Sequence, residues 1–496
     1  MSNELDLVRP NGVRSALTID SSVLCVDLDG TLLRTDTLHE CLFKVLKSQP
    51  QTIFLMPFWL VRGRAYFKQA LTKKLTESLD LLNFPRQVEV EELIRLARSA
   101  GKHVELTSAA DEGLVTGCAA FNDMFDTIIC SSDGVNLKAE AKADLLRTRH
   151  PEGFAYVGNS AADLPVWRAA KERFAVNLSS RVRRSAAKEG LGLMELAHRG
   201  SVLPPVIRSM RLHQWVKNFL VFVPLALNLP RIEAADIWTF LAAFVLFGLL
   251  TSGTYLLNDL LDVDVDRLHP SKRRRAIASG DLPMSTAACV SAGLVVVAML
   301  GAFFLAPVFA VILASYLILT LAYSLWLKRL PMLDALVIAI LFTLRIIGGM
   351  VLIGFPPSHW LLMFSIFFFF SLALMKRAVE LRVVEQAGGE ALRGRDYIIG
   401  DTVLVLTFGV SSGVASLVVF ALFVSTTIEL SDFRYGSPIF LWGVMTTLSY
   451  WMVRMWQMVN RGLMDDDPIL YAVRDRTSLV LGAIVAIFVV CAQVLR

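Results

Sequence analysis

Beyond about residue 216 the chain is a succession of long apolar runs divided by short polar loops, whereas the first 200 or so residues mix apolar and charged positions at short range. The runs lie near 216–229, 237–257, 286–305, 307–327, 332–355, 359–375, 404–425, 438–459 and 478–495. A bilayer core takes about 20 consecutive apolar residues per helix. The pattern therefore predicts about nine transmembrane helices, the first run being the shortest, with a tight turn at Ala306-Pro307. Basic residues sort to one side of this ladder. Arg208, Arg211 and Lys217, then Lys272 to Arg275, Lys328 and Arg329, Lys376 to Arg395, and Arg454 to Arg476 fall on the same face, while the opposite loops carry Arg231 and Arg434. Such a bias marks the cytoplasmic side. The expectation is a multi-pass protein of the inner (cytoplasmic) membrane, with its N-terminal part in the cytoplasm.

In the polar part, Val23-Leu-Cys-Val26 reads as a strand running into Asp27, and Lys102 to Thr107 as a strand ending in hydroxyls. Residues 1–180 are expected to form a soluble domain and 206–496 a membrane domain. Residues 181–205, with Arg181, Arg183, Arg184, glycines and Pro204-Pro205, read as the linker. Thr52 to Val61 is too short to span a bilayer. It is either a buried helix or an interfacial segment flanked by Arg62, Arg64 and Lys68.

The 496 residues are 55% hydrophobic and 19% charged, so length and composition both allow two domains, one of them in lipid. A net charge of +5, gathered in membrane-edge loops, argues against a nucleic-acid binder. The six cysteines (25, 41, 118, 130, 289, 491) contain no CxxC and read as scattered small residues in a reducing compartment.

The chemistry concentrates where the second apolar run ends, in Asn258-Asp259-Leu-Leu-Asp262-Val-Asp-Val-Asp266-Arg267. Carboxylates at 259, 262 and 266 are three and four apart, so one helix would hold them on one face. Crowded acids beside lipid need a cation. Magnesium favours oxygen ligands, one or two carboxylates plus phosphate oxygens. The basic run His269-Pro-Ser-Lys272-Arg-Arg-Arg275 suits the remaining phosphate charge.

NDxxDxxxD followed by HPxKxxR resembles the first aspartate-rich motif of the UbiA superfamily of membrane prenyltransferases. Together with Arg211 to Asn218, Tyr323-Ser324, Lys328-Arg329 and Asp334, it is most similar to the branch that attaches phosphoribose to a polyprenyl phosphate. The resemblance covers roughly residues 205 to 496. It implies Mg2+ on Asp259, Asp262 and Asp266, and a polyprenyl lipid and a soluble phosphorylated donor as partners. It further implies substrate contacts from Lys217, Asn218, Asn258, Lys272, Arg275, Tyr323, Lys328, Lys376, Arg377 and Glu380. After the sixth run, where aromatic prenyltransferases carry a second acid motif, this chain has Lys376-Arg377-Ala-Val-Glu380 and then Arg393, Arg395, Asp396 and Asp401. Cations in place of carboxylates fit direct phosphate contacts. Met464-Asp-Asp-Asp467-Pro468 also resembles the phosphoribosyl branch. The alternatives are prenyl transfer from a prenyl diphosphate to an aromatic or other acceptor, and a membrane-anchored phosphatase or scaffold. Oligomeric state is not legible.

At the other end, Asp27-Leu-Asp29-Gly30-Thr31 after an apolar strand resembles motif I of haloacid dehalogenase-like (HAD) phosphohydrolases. The resemblance implies an α/β Rossmann-like fold with a helical cap over 36–95. Asp27 would be the nucleophile, Asp29 the acid/base, and Thr107 the phosphoryl-binding hydroxyl. Lys142 is the motif III lysine, favoured over Lys138 because it opens a helical pattern. Asp27, Asp29 and Asp163 would hold magnesium. Asn159 stands where the family usually has Asp.

Overall fold

The computed structural model describes residues 6–8, 14–16, 19–75, 79, 81–111, 123–131, 137–353, 358–392, 394–429, 436–464 and 467–495. Cys118, Asn136, Arg393, Arg434, Asp465 and Asp466 lie outside these. The chain forms two compact units, residues 1–209 with 256–290, and residues 210–255 with 291–496.

The first unit begins with a short antiparallel pair, β1 (Asp6–Val8) and β2 (Arg14–Ala16). A six-stranded sheet follows, made of β3 (Val23–Val26), β4 (His103–Asp111), β5 (Thr127–Ser131), β6 (Ala155–Gly158), β7 (Glu172–Val176) and β8 (Met194–Ala197). Its order is β5-β4-β3-β6-β7-β8 and every pairing is parallel. Successive strand residues face opposite sides of a sheet. Leu24, Val26, Val104, Leu106 and Val157 therefore enter one core, and Cys25, Phe154, Tyr156 and Ala175 the other. Both faces are covered, as a parallel sheet requires. From β3 the chain moves to β4 on one side, and from β6 to β7 on the other. That reversal opens a crevice beyond the carboxyl ends of β3 and β6, where open α/β sheets bind ligands.

Two sequence expectations are corrected in this unit. The presumed linker 181–205 is part of the domain: Ser179 caps the helix Ser180–Lys188, which buries Val182 and Ala186, and β8 completes the sheet. Its arginines are the solvent face of an amphipathic helix, which resembles a linker in composition alone. The expected limit at 206 lies close to the break after Ser209, but residues 256–290, with the acid motif, group with the N-terminal unit.

Helices Thr37–Ser48, Met56–Val61, Arg64–Lys74 and Val88–Ser99 lie between β3 and β4. Ile53 and Phe54 in the 3-10 turn Pro50–Phe54, and Phe58, Leu60 and Val61 in the helix after it, are exposed, Val61 by 88%. The buried-helix reading of 52–61 therefore fails, and the interfacial one accords with the exposure.

In the second unit and its continuations, seven helices among the described residues are long and apolar enough to cross a membrane. They are Ala234–Leu261, Met284–Leu305, Pro307–Leu325, Leu333–Leu352, His359–Gln386, the helical stretch Ile399–Thr426, and Arg476–Val494. Phe440–Asn460 is a further helix of 21 residues outside that set. The run 216–229 folds instead as a 3-10 helix, Leu212–Phe222, and a single turn, Val223–Ala226, with Pro224 early in that turn. Close packing relies on small residues, as in membrane bundles generally. A Cβ on Gly349 would meet the Val221 carbonyl at 2.1 Å, and one on Gly409 the Trp456 ring at 2.4 Å.

Candidate active sites

The crevice at β3 and β6 gathers the first set of residues. Asp27 follows β3 directly. The turn after it needs a left-handed residue, supplied by Gly30 at φ +75°, and a Cβ there would strike the Asn159 side chain. Lys142, near the start of the helix Glu140–Arg149, donates from Nζ to Asp27 Oδ1 at 2.7 Å, to the Thr107 carbonyl at 3.0 Å and to the Tyr156 hydroxyl at 3.3 Å. Lys142 is thus the lysine that reaches Asp27. Thr31 Oγ1 donates to Asp27 Oδ2 at 3.0 Å. Burial pushes the Asp27 carboxyl up, against the Lys142 charge that favours its anion. Asp29 accepts from the Thr37 amide at 2.9 Å and the Thr37 hydroxyl at 3.1 Å. Burial, reinforced by the charge of Asp36, pushes Asp29 up to about 7. Thr107 Oγ1 is buried with no hydrogen-bond partner. A buried hydroxyl left unpaired is costly, and an incoming phosphoryl oxygen would satisfy it.

Asp163 stands near enough to Asp27 and Lys142 for its charge to act on both, and its own oxygens are engaged by protein groups. Tyr156 donates to its Oδ1 at 2.7 Å, while its Oδ2 accepts from the amides of Asn159 and Ser160 and from the Ser160 hydroxyl. It shapes the 158–163 turn, while Asp27 and Asp29 each accept from protein donors at both oxygens. Among the described residues, the metal-competent group whose ligand atoms lie within 4.8 Å of one another is Cys25, Glu105 and His150. There Arg149 already stands 3.2 Å from Glu105, so that carboxylate carries its own counter-charge.

The acid motif forms the second set. The helix Ala234–Leu261 stops at Asp262, and a short helix, Val263–Leu268, follows. The Asp262 amide still bonds the Asn258 carbonyl, and the Asp266 amide the Asp262 carbonyl, both at 2.9 Å, so the three acids stay one turn apart across a break. The expected single face is therefore divided. Arg275 Nη1 bridges Asp259 Oδ1 at 3.1 Å and Asp266 Oδ2 at 2.6 Å. Asp262 turns instead to Lys47 at 3.1 Å. Burial pushes Asp266 up, with Arg275 opposing. Two buried carboxylates aimed at one cationic point, all donors oxygen, fit a magnesium ion. Of the other residues expected here, Asn258 is half-buried and Lys272 is exposed.

The third set lies in the second unit. Lys217 Nζ pairs with Asp467 at 2.6 Å, and Lys376 Nζ stands 3.8 Å from the same carboxylate. Burial alone would raise Asp467, but the two lysines outweigh it and hold the carboxyl below its ordinary value. Asp467 also caps the helix Pro468–Arg474 through the amides of Ile469 and Leu470. Two cations around one carboxylate leave a net positive charge suited to phosphate. Arg377, expected to bind phosphate, is instead held by the buried Asp334, Nε to Oδ2 at 2.8 Å, and by Glu380. Tyr397 donates to Asp334 at 2.6 Å, and Arg395 lies 3.3 Å from it. Glu380 and Asp334 thus serve a structural network. Asn218 Oδ1 accepts from Arg345 Nε at 2.9 Å, and Arg345 also donates to the Tyr316 hydroxyl at 2.8 Å. Tyr323 and Lys328 are half-buried, Lys328 in the 3-10 turn Leu327–Arg329. Sequence reasoning missed Arg345, although a lone arginine inside the apolar run 332–355 was itself a signal. It left the role of Asp467 open and missed Lys47, whose partner nothing local indicates.

Residues 219–473 match the model of the UbiA prenyltransferase family. The chain belongs to the UbiA prenyltransferase family. It is an integral membrane transferase, and its N-terminal sheet lies outside the matched region. A Sinorhizobium fredii protein, "Uncharacterized protein y4nM", is 37% identical over 93% of this chain and 89% of its own length. The nodulation protein NoeC of Azorhizobium caulinodans is 35% identical over 55% of this chain and 88% of its own. Decaprenyl-phosphate phosphoribosyltransferase of Mycobacterium tuberculosis is 36% identical over 37% of this chain and 62% of its own, so the match spans under two thirds of that enzyme. Among solved structures, a UbiA homolog from Archaeoglobus fulgidus bound to GPP and Mg2+ aligns with a TM-score of 0.45 and 15% identity, over 58% of this chain and 97% of that one.

Proposed function

We propose that this UbiA-family protein transfers phosphoribose from phosphoribosyl diphosphate to a polyprenyl phosphate, and that its N-terminal domain is a HAD-type phosphatase that removes the 5-phosphate of the product. The observation that carries the first half is the convergence of Asp259 and Asp266 on one cationic point. The cluster of Lys217 and Lys376 around Asp467, and the similarity to the mycobacterial phosphoribosyltransferase, support the choice of donor.

Asp259 and Asp266 would hold magnesium, with Asp262 as a third carboxylate beside them. When bound, the ion supplies charge neutralisation to a diphosphate leaving group. An oxygen of the lipid phosphate forms the new bond to ribose C1 as the C1–O bond to diphosphate breaks, the electron pair leaving with diphosphate. Lys217 and Lys376 stabilise phosphate charge, and Lys272 and Arg275 contribute cations at the acid motif. Arg377 and Glu380 position rather than bind, since each already neutralises the other. In the phosphatase, an Asp27 carboxylate oxygen forms a bond to phosphorus while the ester P–O bond breaks. Asp29 protonates the departing oxygen, and water then attacks the phosphorus of the aspartyl phosphate, breaking its P–O bond to Asp27 and releasing phosphate. Thr107 and Lys142 hold the transferring group.

The same reading places the N-terminal domain and the acid motif in the cytoplasm at the inner membrane. The sheet and residues 256–290 belong to one unit, which supports a shared side of the membrane for both.

The second reading, prenyl transfer to an aromatic acceptor, calls for carboxylates free to hold a second metal after the fifth described span. Glu380, at the end of that span, is instead paired with Arg377 and Arg395, which favours the first reading. The test is to give purified protein ribose-labelled phosphoribosyl diphosphate, polyprenyl phosphate and Mg2+. Label should enter the lipid and be lost with Asp259→Asn. Free phosphate should appear later and be lost with Asp27→Asn alone. Label that enters lipid only from a prenyl diphosphate would establish the second reading.

A further inference from the structure

The acid motif is gripped by a helix of the α/β domain. The helix Thr37–Ser48 is tied at its start to Asp29 through the Thr37 amide and hydroxyl. Seven residues are nearly two helical turns, so Glu40 and Lys47 share a face. Each meets the motif with the opposite charge. Glu40 takes Arg267 in a buried two-pronged pair at 2.6 and 3.1 Å, with Arg267 also stacked over Phe84 at 4.6 Å. Lys47 takes Asp262 at 3.1 Å, the two side chains retaining 20% and 19% of their exposure. A third contact, Arg34 to Asp281 at 2.8 Å, closes the seam, where a Cβ on Gly280 would lie 2.6 Å from Arg34. The reciprocal signs favour this register, since sliding the helix by the seven residues that separate Glu40 from Lys47 would set like charges together.

We propose that Lys47 is a positioning residue for the acid motif, a resident counter-charge that holds Asp262 and sets how tightly the motif takes a divalent cation. This rests on the reading of Asp259 and Asp266 as metal ligands. In the resting motif three carboxylates are balanced by Arg275 on Asp259 and Asp266 and by Lys47 on Asp262, while Arg267 is already neutralised by Glu40. A divalent ion near Asp262 is repelled by the Lys47 ammonium and denied one of that residue's oxygens. The α/β domain therefore tunes the metal demand of the transferase motif through one side chain, on a helix anchored to its own Asp29.

The test uses the full-length protein in lipid nanodiscs and Mn2+, whose preference for oxygen ligands matches that of Mg2+, read by electron paramagnetic resonance. Sites lost with Asp259→Asn are those of the motif. For these, Lys47→Met should lower the Kd about tenfold, and Lys47→Arg should stay within about threefold of the parent. Hydrogen exchange in the last turn of Thr37–Ser48 should rise when the parent binds the ion, as Lys47 lets go, and should not change in Lys47→Met. A Kd in Lys47→Met within twofold of the parent, with Asp259-dependent binding intact, overturns the assignment of Lys47 alone. Mn2+ binding indifferent to Asp259→Asn removes the metal reading itself.

Discussion

Replacing Lys142 with methionine keeps the length of the side chain and removes its charge beside Asp27. The pair is short and buried, Nζ to Oδ1 at 2.7 Å with 4% and 12% side-chain exposure. Breaking such a pair by removing one partner costs about 3–5 kcal/mol, because the other charge is left uncompensated. Asp27 can escape that cost by taking a proton. Its ordinary value is 3.8, and each pH unit of enforced protonation costs about 1.4 kcal/mol, so the deficit is capped near 4 kcal/mol at pH 7. The sign follows from linkage. A carboxyl whose folded value is raised has its stability intact below its unfolded value and loses it as pH rises toward the folded value. The deficit of Lys142→Met should therefore be small near pH 4 and grow toward pH 7. Hydrogen-exchange protection of β3 and β6, compared at pH 5 and pH 7 after correction for intrinsic rates, reads it. The double variant Lys142→Met with Asp27→Asn should recover most of the loss at pH 7. A deficit independent of pH, or one that Asp27→Asn fails to relieve, refutes the reasoning.

Three further outcomes follow from the geometry. In the proposed phosphatase Asp29, raised to about 7, would hold its proton below that pH and deliver it to the leaving group. The phosphorylation half-reaction should therefore fall as pH rises through 7, and Asp29→Asn should abolish that limb in rapid-quench measurements. Thr107→Val buries no orphan hydroxyl, so thermal stability without phosphate should hold or rise slightly, while the affinity for inorganic phosphate or vanadate drops about tenfold. Asp334→Asn leaves Arg377 and Arg395 short of a carboxylate in a buried network, a loss of about 3–5 kcal/mol; thermal unfolding in nanodiscs should show it, and Asp401→Asn, at a surface turn, should not.

The bundle was legible in the sequence because lipid forces every span to be long and apolar, and seven of the expected runs lie in helices of that kind. The run 216–229 was misread as an ordinary helix because hydropathy reports burial in lipid and is blind to how the backbone coils. The α/β sheet was legible at β3 and β4, where apolar runs end in acids and hydroxyls. It was lost at β8, since four half-buried residues after a basic helix carry no periodic signal. Among candidate site residues, motif resemblance pointed to Asp27 and Lys142 and spacing to Asp259 and Asp266; the structure sets Lys142 on Asp27 and Arg275 between the other two. Sequence reading assigned Asp163, Arg377 and Asn218 to ligands when each is engaged with protein groups. One-dimensional spacing cannot tell a carboxylate aimed at a cavity from one aimed at a backbone amide. Nor could it pair Lys47 with Asp262 or Glu40 with Arg267, contacts separated by more than two hundred residues.

The most direct test is the rate of ribose transfer to polyprenyl phosphate measured against free Mg2+ in the parent and in Asp266→Asn. Transfer should require the ion in the parent and need at least tenfold more of it, or stop, in the variant. Transfer that proceeds equally with chelator present, or with Asp266 and Asp259 both neutralised, would contradict the account.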